Sequence, residues 1–270
     1  MKKDSVMDKE KRNLDKQEAK REKQALTKSN SEIITRIETK IPAKVYDNLQ
    51  KAFSKAFEIV FEKGVGVIEK TYNKEELLND YDINDYAVRE VGSKKGFRTL
   101  HKTAKKSGRF NMLVSTAEGS VLGALGIGLP DIVIFTGMLL KGAYETSLHY
   151  GYDYKNEAEK YLILQIMEAS LTTGEPYLAI NQDVNEVIES GRIYFPTDEE
   201  MKEQIRRTSD AMATDMLVMK FIQGLPIIGI LGGAMNPVYY KKIIGYMQLK
   251  YRRRYLIDMK NKGKVLELKR

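Results

Sequence analysis

The sequence contains no cysteine, and only two histidines and six prolines among its 270 residues. Without thiols there is no disulfide framework, no thiolate nucleophile and no thiolate-bound zinc, a composition that fits a reducing cytosol. No G-x-x-x-x-G-K-[ST] loop, no G-x-S-x-G elbow and no H-E-x-x-H pair occurs. The phosphate-cradling, serine-elbow and zinc-helix chemistries that depend on those spacings are therefore excluded. The first 28 residues hold no apolar stretch of signal-peptide length, which argues against a cleaved secretion signal.

What is present suffices for a folded domain, because 42% of the residues are hydrophobic and a chain of this length buries a sizeable core. The net charge of +8 is unevenly placed. Residues 241–270 carry eleven Lys/Arg against two Asp/Glu, residues 1–30 carry ten against six, and 94–109 hold seven bases and no acid. Such patches attract phosphate, on lipid headgroups or on nucleic acid. Nucleic-acid binding has only this charge behind it, with no recognised reading motif.

Pro42, Pro130, Pro176, Pro196, Pro226 and Pro237 all stand at potential helix starts, where the missing N–H costs nothing. Apolar residues between them recur at helical spacing, as in Ile205, Met212, Met216 and Met219. Thr197 with Glu200 forms a capping-box pattern, and Asn73 with Glu76 a weaker one. The pattern predicts an all-α chain with helices over 31–40, 44–63, 74–91, 95–106, 110–127, 131–149, 155–171, 182–190, 198–223 and 237–260. Residues 1–30, charged and poor in large apolar side chains, read as an extension that is a solvated helix or disordered. Residues 31–258 read as one helical domain and 259–270 as a basic tail.

Two segments break the pattern. From Gly119 to Leu140 only Asp131 is charged, and from Phe221 to Tyr240 nothing is. Glycines inside helices cost up to about 1 kcal/mol each against alanine, so Gly119, Gly123, Gly126 and Gly128, with Gly229, Gly232 and Gly233, point to close helix packing. The segment 221–240 has the roughly 20 residues a membrane span needs, yet its two prolines and four glycines interrupt it. The architecture read from this is a helical bundle around two Gly/Pro-interrupted apolar hairpins. They either dip into one leaflet or form the buried centre of a soluble bundle. Flanking bases favour membrane contact at the cytoplasmic face: Lys94, Lys95, Arg98, Lys105 and Lys106 before the first segment, and Arg252, Arg253 and Arg254 beside Tyr251 after the second.

Asp80, Asp82 and Asn84 resemble the start of a calcium loop, but Asp85 and Val91 occupy the positions needing Gly and Glu, so a polar turn is expected. His101 and His149 fall in different helices with no metal motif. No metal and no cofactor is expected. The acids near the apolar segments, Glu118, Asp131 and Asp153, are the candidate functional groups, since a carboxylate in apolar surroundings is costly unless paired or protonated. Helix-start roles compete: Asp131 follows Pro130, and Asp153 precedes the helix starting near Lys155.

The run Glu118-Gly119 … Gly128-Leu129-Pro130-Asp131 … Tyr150-Gly151-Tyr152-Asp153 resembles the signature of the EcsC protein family. Pro226-Ile227-Ile228-Gly229 … Gly232-Gly233 … Asn236 is similar to its second block. The resemblance covers roughly residues 40 to 258, leaving the charged extension outside. It implies a bacterial protein, without assigned catalytic residues, that acts at the membrane surface or with an ABC transporter. The leading expectation is a non-enzymatic, membrane-associated accessory protein whose two glycine-rich hairpins pack together and whose basic helices face an anionic membrane surface. The competing one is an enzyme on a lipid or acidic substrate in which Glu118, Asp131 and Asp153 converge on one pocket near His149.

Overall fold

Helix starts follow the side-chain chemistry of the sequence. Glu200 N donates to Thr197 Oγ1 (3.3 Å) while Thr197 N donates back to Glu200 Oε2 (2.8 Å), a closed capping box. Asn73 Oδ1 accepts from Glu76 N at 3.1 Å, and Asn156 Oδ1 from Ala158 N at 2.9 Å. The computed structural model describes residues 3–29, 40, 42–61, 65–70, 72–91, 96–102, 130–222 and 236–268. Among these every regular element is helical: α1 (Lys3–Ser29), α2 (Ala43–Ile59), α3 (Val65–Glu69), α4 (Lys74–Val91), α5 (Pro130–His149), α6 (Glu157–Leu171), α7 (Gly174–Ser190), α8 (Asp198–Ile222) and α9 (Asn236–Leu268). A short helical stretch, 96–102, precedes α5. The chain is all-α. The two expected hairpins fall on 119–129 and 223–235, outside the described residues, as do the helices expected over 31–40 and 110–127.

Helix α5 is the central rod, touching α2, α3, α4 and α9, while α6 packs on α7, α8 and α9. From Ile132 to Tyr150 nearly every side chain of α5 is buried, as expected of a helix enclosed on all sides. It runs parallel to α9: Phe135 meets Tyr239, Gly142 meets Tyr240 and Ile244, and Tyr150 meets Tyr251. A β-carbon on Gly142 would stand 2.4 Å from Tyr240 Oη, so the glycine lets the two helices approach there.

Three expectations change. The stretch Asp80–Asn84 lies inside α4 rather than in a turn, with Asn84 Nδ2 bonding the Asp80 carbonyl at 2.7 Å. Helix α7 begins at Gly174, earlier than the expected 182, because Pro176 sits in its first turn, where proline is tolerated. And α1 is not a solvated tail: Val6, Leu14 and Ala25 are buried where it lies over α7 and α9.

Candidate functional site

The loop after α5, Tyr150-Gly151-Tyr152-Asp153-Tyr154, organises one end of the bundle. Gly151 adopts φ +81, a left-handed conformation in which a β-carbon would meet the Tyr81 ring at 2.3 Å. This turn sends three tyrosines in different directions. Tyr150 bonds His101 Nδ1 (2.8 Å), Tyr152 donates to Asp258 Oδ2 (2.7 Å), and Tyr154 donates to Glu69 Oε1 (2.6 Å) while accepting from Tyr72 (2.7 Å). The Tyr154 ring also stacks on Tyr144, with centroids 4.2 Å apart. Burial pushes the Tyr150, Tyr152 and Tyr154 phenols far above their ordinary value. The hydrogen bond from Tyr154 holds Glu69 low. The phenols therefore stay protonated, and Tyr152 and Tyr154 donate to their carboxylates.

Helix α9 answers this loop with Tyr251-Arg252-Arg253-Arg254-Tyr255. Arg254 Nη1 reaches both oxygens of Glu159 (3.0 and 2.8 Å) and its guanidinium lies 3.8 Å over the Tyr152 ring. Tyr251 donates to the same Glu159 carboxylate, and Tyr255 donates to Asp85 Oδ1 at 2.8 Å. Arg252 pairs with Glu10, and Arg253 with Glu18 and Glu189. These three arginines, read from the sequence as membrane-facing, spend their charge on carboxylates inside the protein. Arg98, on the stretch 96–102, is exposed, and its neighbour Phe97 packs on Tyr255 at this same end. The partners Glu10, Glu18 and Glu159 leave no local signal beside the arginines, because they lie 92–242 residues away in the chain.

Two of the three candidate acids are far apart. Asp131 is the second residue of α5 and Asp153 follows its last turn, so nearly all of the 20-residue helix, about 27 Å at 1.5 Å per residue, lies between them. Asp153 is mostly exposed, accepts from Lys155 N (3.1 Å) and pairs with Lys74 (3.4 Å). It closes a turn, and the helix cap expected of it belongs to Asn156. The backbones of Asp131 and Asp153 thus stand at opposite ends of α5. Glu118, Gly119, Gly123, Gly126, Gly128, Gly229, Gly232, Gly233, Lys94, Lys95, Lys105 and Lys106 lie outside the described residues. Among the described residues no group of three His, Asp or Glu side chains is placed to hold a metal ion.

The opposite end gathers the attachment points of both apolar segments. The start of α5, the end of α8 and the start of α9 meet there: Phe135 stands edge-on to Tyr239 at 6.4 Å, and Tyr239 donates to the Asp215 carbonyl at 2.9 Å. Lys242 pairs with the Asp215 carboxylate at 2.7 Å. Phe221, one residue before the end of α8, and Val238, in the first turn of α9, are exposed, at 42% and 51%. Lys220 is buried, and desolvation lowers its pKa.

The EcsC protein family model matches residues 8–256. The chain belongs to the EcsC protein family. No curated protein and no solved structure matches it significantly. The EcsC match begins inside α1, so the helix expected to lie outside the resemblance is within the matched region. Tyr150–Asp153, within the matched region, is the turn that joins α5 to the tyrosine and arginine network of α9. Among the described residues no helix is long and apolar enough to cross a membrane.

Proposed function

We propose that this EcsC-family protein is a membrane-associated accessory protein, held at the bilayer by the apolar segments at one end of its bundle. One observation carries the reading: the segment leading into α5 and the segment joining α8 to α9 are attached at the same end, through Phe135, Tyr239 and Asp215. The second segment is uncharged over 221–240, and Phe221 and Val238 expose apolar side chains on the described helices. Contiguous exposed apolar surface marks an interaction site. The ion-paired arginines lie at the far end, so the attachment is apolar rather than electrostatic. A transporter in the same membrane is the partner that the family resemblance favours.

Vesicle flotation tests the reading. The full chain is expected to float with both neutral and anionic phospholipid vesicles, and a variant carrying Ile228→Asp and Leu231→Asp to stay at the bottom with its helical content intact. Equal behaviour of the two chains, or loss of folding in the variant without vesicles, contradicts membrane attachment and makes the segment a soluble core.

A further inference from the structure

Helix α1 is bound differently from its neighbours. Its 27 residues are mostly strong helix formers, and only Val6, Leu14 and Ala25 supply buried apolar side chains. By contrast α6 buries ten of its 15 residues. The stripe that α1 lays on the bundle, Val6, Glu10, Leu14, Glu18, Arg21 and Ala25, alternates apolar and charged groups at helical spacing.

The surface beneath this stripe is cationic. Along α9, Tyr246, Lys250, Arg252 and Arg253 face α1, and α7 runs alongside with Asn181, Asn185 and Glu189. Lys250 is 1% exposed. Its Nζ has Asn185 Oδ1 at 2.7 Å and Glu18 Oε1 at 3.2 Å, and lies 5.3 Å from the Tyr246 ring centroid. The carboxylate that neutralises this buried cation therefore comes from α1. Glu10 does the same for Arg252, and Glu18 is shared with Arg253.

The fit is incomplete. Nε of Arg21 and Nε of Arg253 are buried in this seam without a hydrogen-bond partner. A cleft of about 320 Å³ remains between the helices, lined by residues that include Leu14, Asp15, Glu189, Arg253 and Leu256. Buried donors without acceptors are costly; Arg21 leaves with α1, but Arg253 Nε belongs to the groove, so a ligand carboxylate that reached it would satisfy the groove better than α1 does.

We propose that α1 is a detachable clasp and that the groove it covers on α7 and α9 is a docking site for an acidic helix of a partner protein. The occupant's chemistry is given by the face that α1 turns to the groove, not by its net charge: carboxylates two turns apart, as in Glu10 and Glu18, with a single apolar side chain, Leu14, between them. Charge complementarity sets its sign, since Lys250 and Arg252 lose their α1 carboxylates once α1 leaves, while Arg253 keeps Glu189. An α1 of this composition stays largely helical when released, because its helix formers and i,i+4 pairs act locally.

The test uses the full chain and a fluorescent peptide of residues 3–29. Glu10→Gln with Glu18→Gln in the chain weakens the clasp and leaves the peptide's carboxylates intact. The peptide should bind this variant about tenfold more tightly than the wild type, because the competing state is depopulated. It should lose binding when Arg252→Gln and Arg253→Gln are added, or when its own Glu10 and Glu18 are changed to Gln. Hydrogen exchange on the wild type gives an independent readout: α1 amides should exchange about tenfold faster in molar salt than at low salt, with α6 amides unchanged, as expected of a charge-held element. Equal peptide affinity for the two chains, binding that ignores the peptide carboxylates, or α1 exchanging in step with α6 at both salt concentrations overturns the proposal.

Discussion

Gly151 and Tyr81 are so close that a β-carbon on the glycine would stand 2.3 Å from the tyrosine Cζ. Two costs therefore attend Gly151→Ala: the left-handed φ of +81 and the collision with the ring. The substitution should destabilise the fold by about 1–3 kcal/mol. Adding Tyr81→Ala should remove only the collision, so the double variant still melts below Tyr81→Ala alone in thermal denaturation.

Glu159 balances Arg254 in a mostly buried pair and receives Tyr251 as well. Glu159→Ala leaves the guanidinium without its counter-charge and should cost about 3–5 kcal/mol. Glu159→Leu combined with Arg254→Met removes both charges and should recover at least half of that loss. Chemical denaturation of the single and double variants measures the coupling; additive losses would mean that the pair contributes nothing as a pair.

His149 is buried, and desolvation lowers its pKa from the usual 6.5 to about 4. The folded state holds this imidazole neutral while the unfolded chain takes up a proton more readily. Stability is therefore intact above pH 6.5 and declines as the pH falls toward 4, by about 3 kcal/mol from this group at most. His149→Gln should flatten that part of the stability profile relative to wild type, measured by urea unfolding at pH 7, 5.5 and 4.5.

Much of the helical layout was legible because its signals are local. The Thr197–Glu200 box, the Asn73–Glu76 cap and Pro130 mark helix starts within a few residues. Helix α1 was misread because its docking face relies on Glu10, Glu18 and Arg21, side chains that look solvent-facing until their partners are seen. Arg252–Arg254 suffered the same error in reverse: a run of three bases reads as surface charge, but consecutive helical residues point about 100° apart, and here each finds a carboxylate on a different helix. The acids Asp131 and Asp153 both lie in or near the first apolar segment in the sequence, and the length of α5 separates their backbones. The convergence of α5, α8 and α9 at Phe135, Asp215 and Tyr239 had no local signal, since it depends on α5 and α9 running parallel.

The most direct measurement is fractionation of cells producing the full-length chain, with the membranes washed first in high salt and then in alkaline carbonate. Salt releases electrostatic attachment, whereas apolar insertion withstands both washes. The protein should remain in the membrane pellet after both treatments, as its uncharged segment and internally paired arginines require. Recovery in the soluble fraction from the outset would contradict membrane attachment and return the glycine-rich segments to the interior of the bundle.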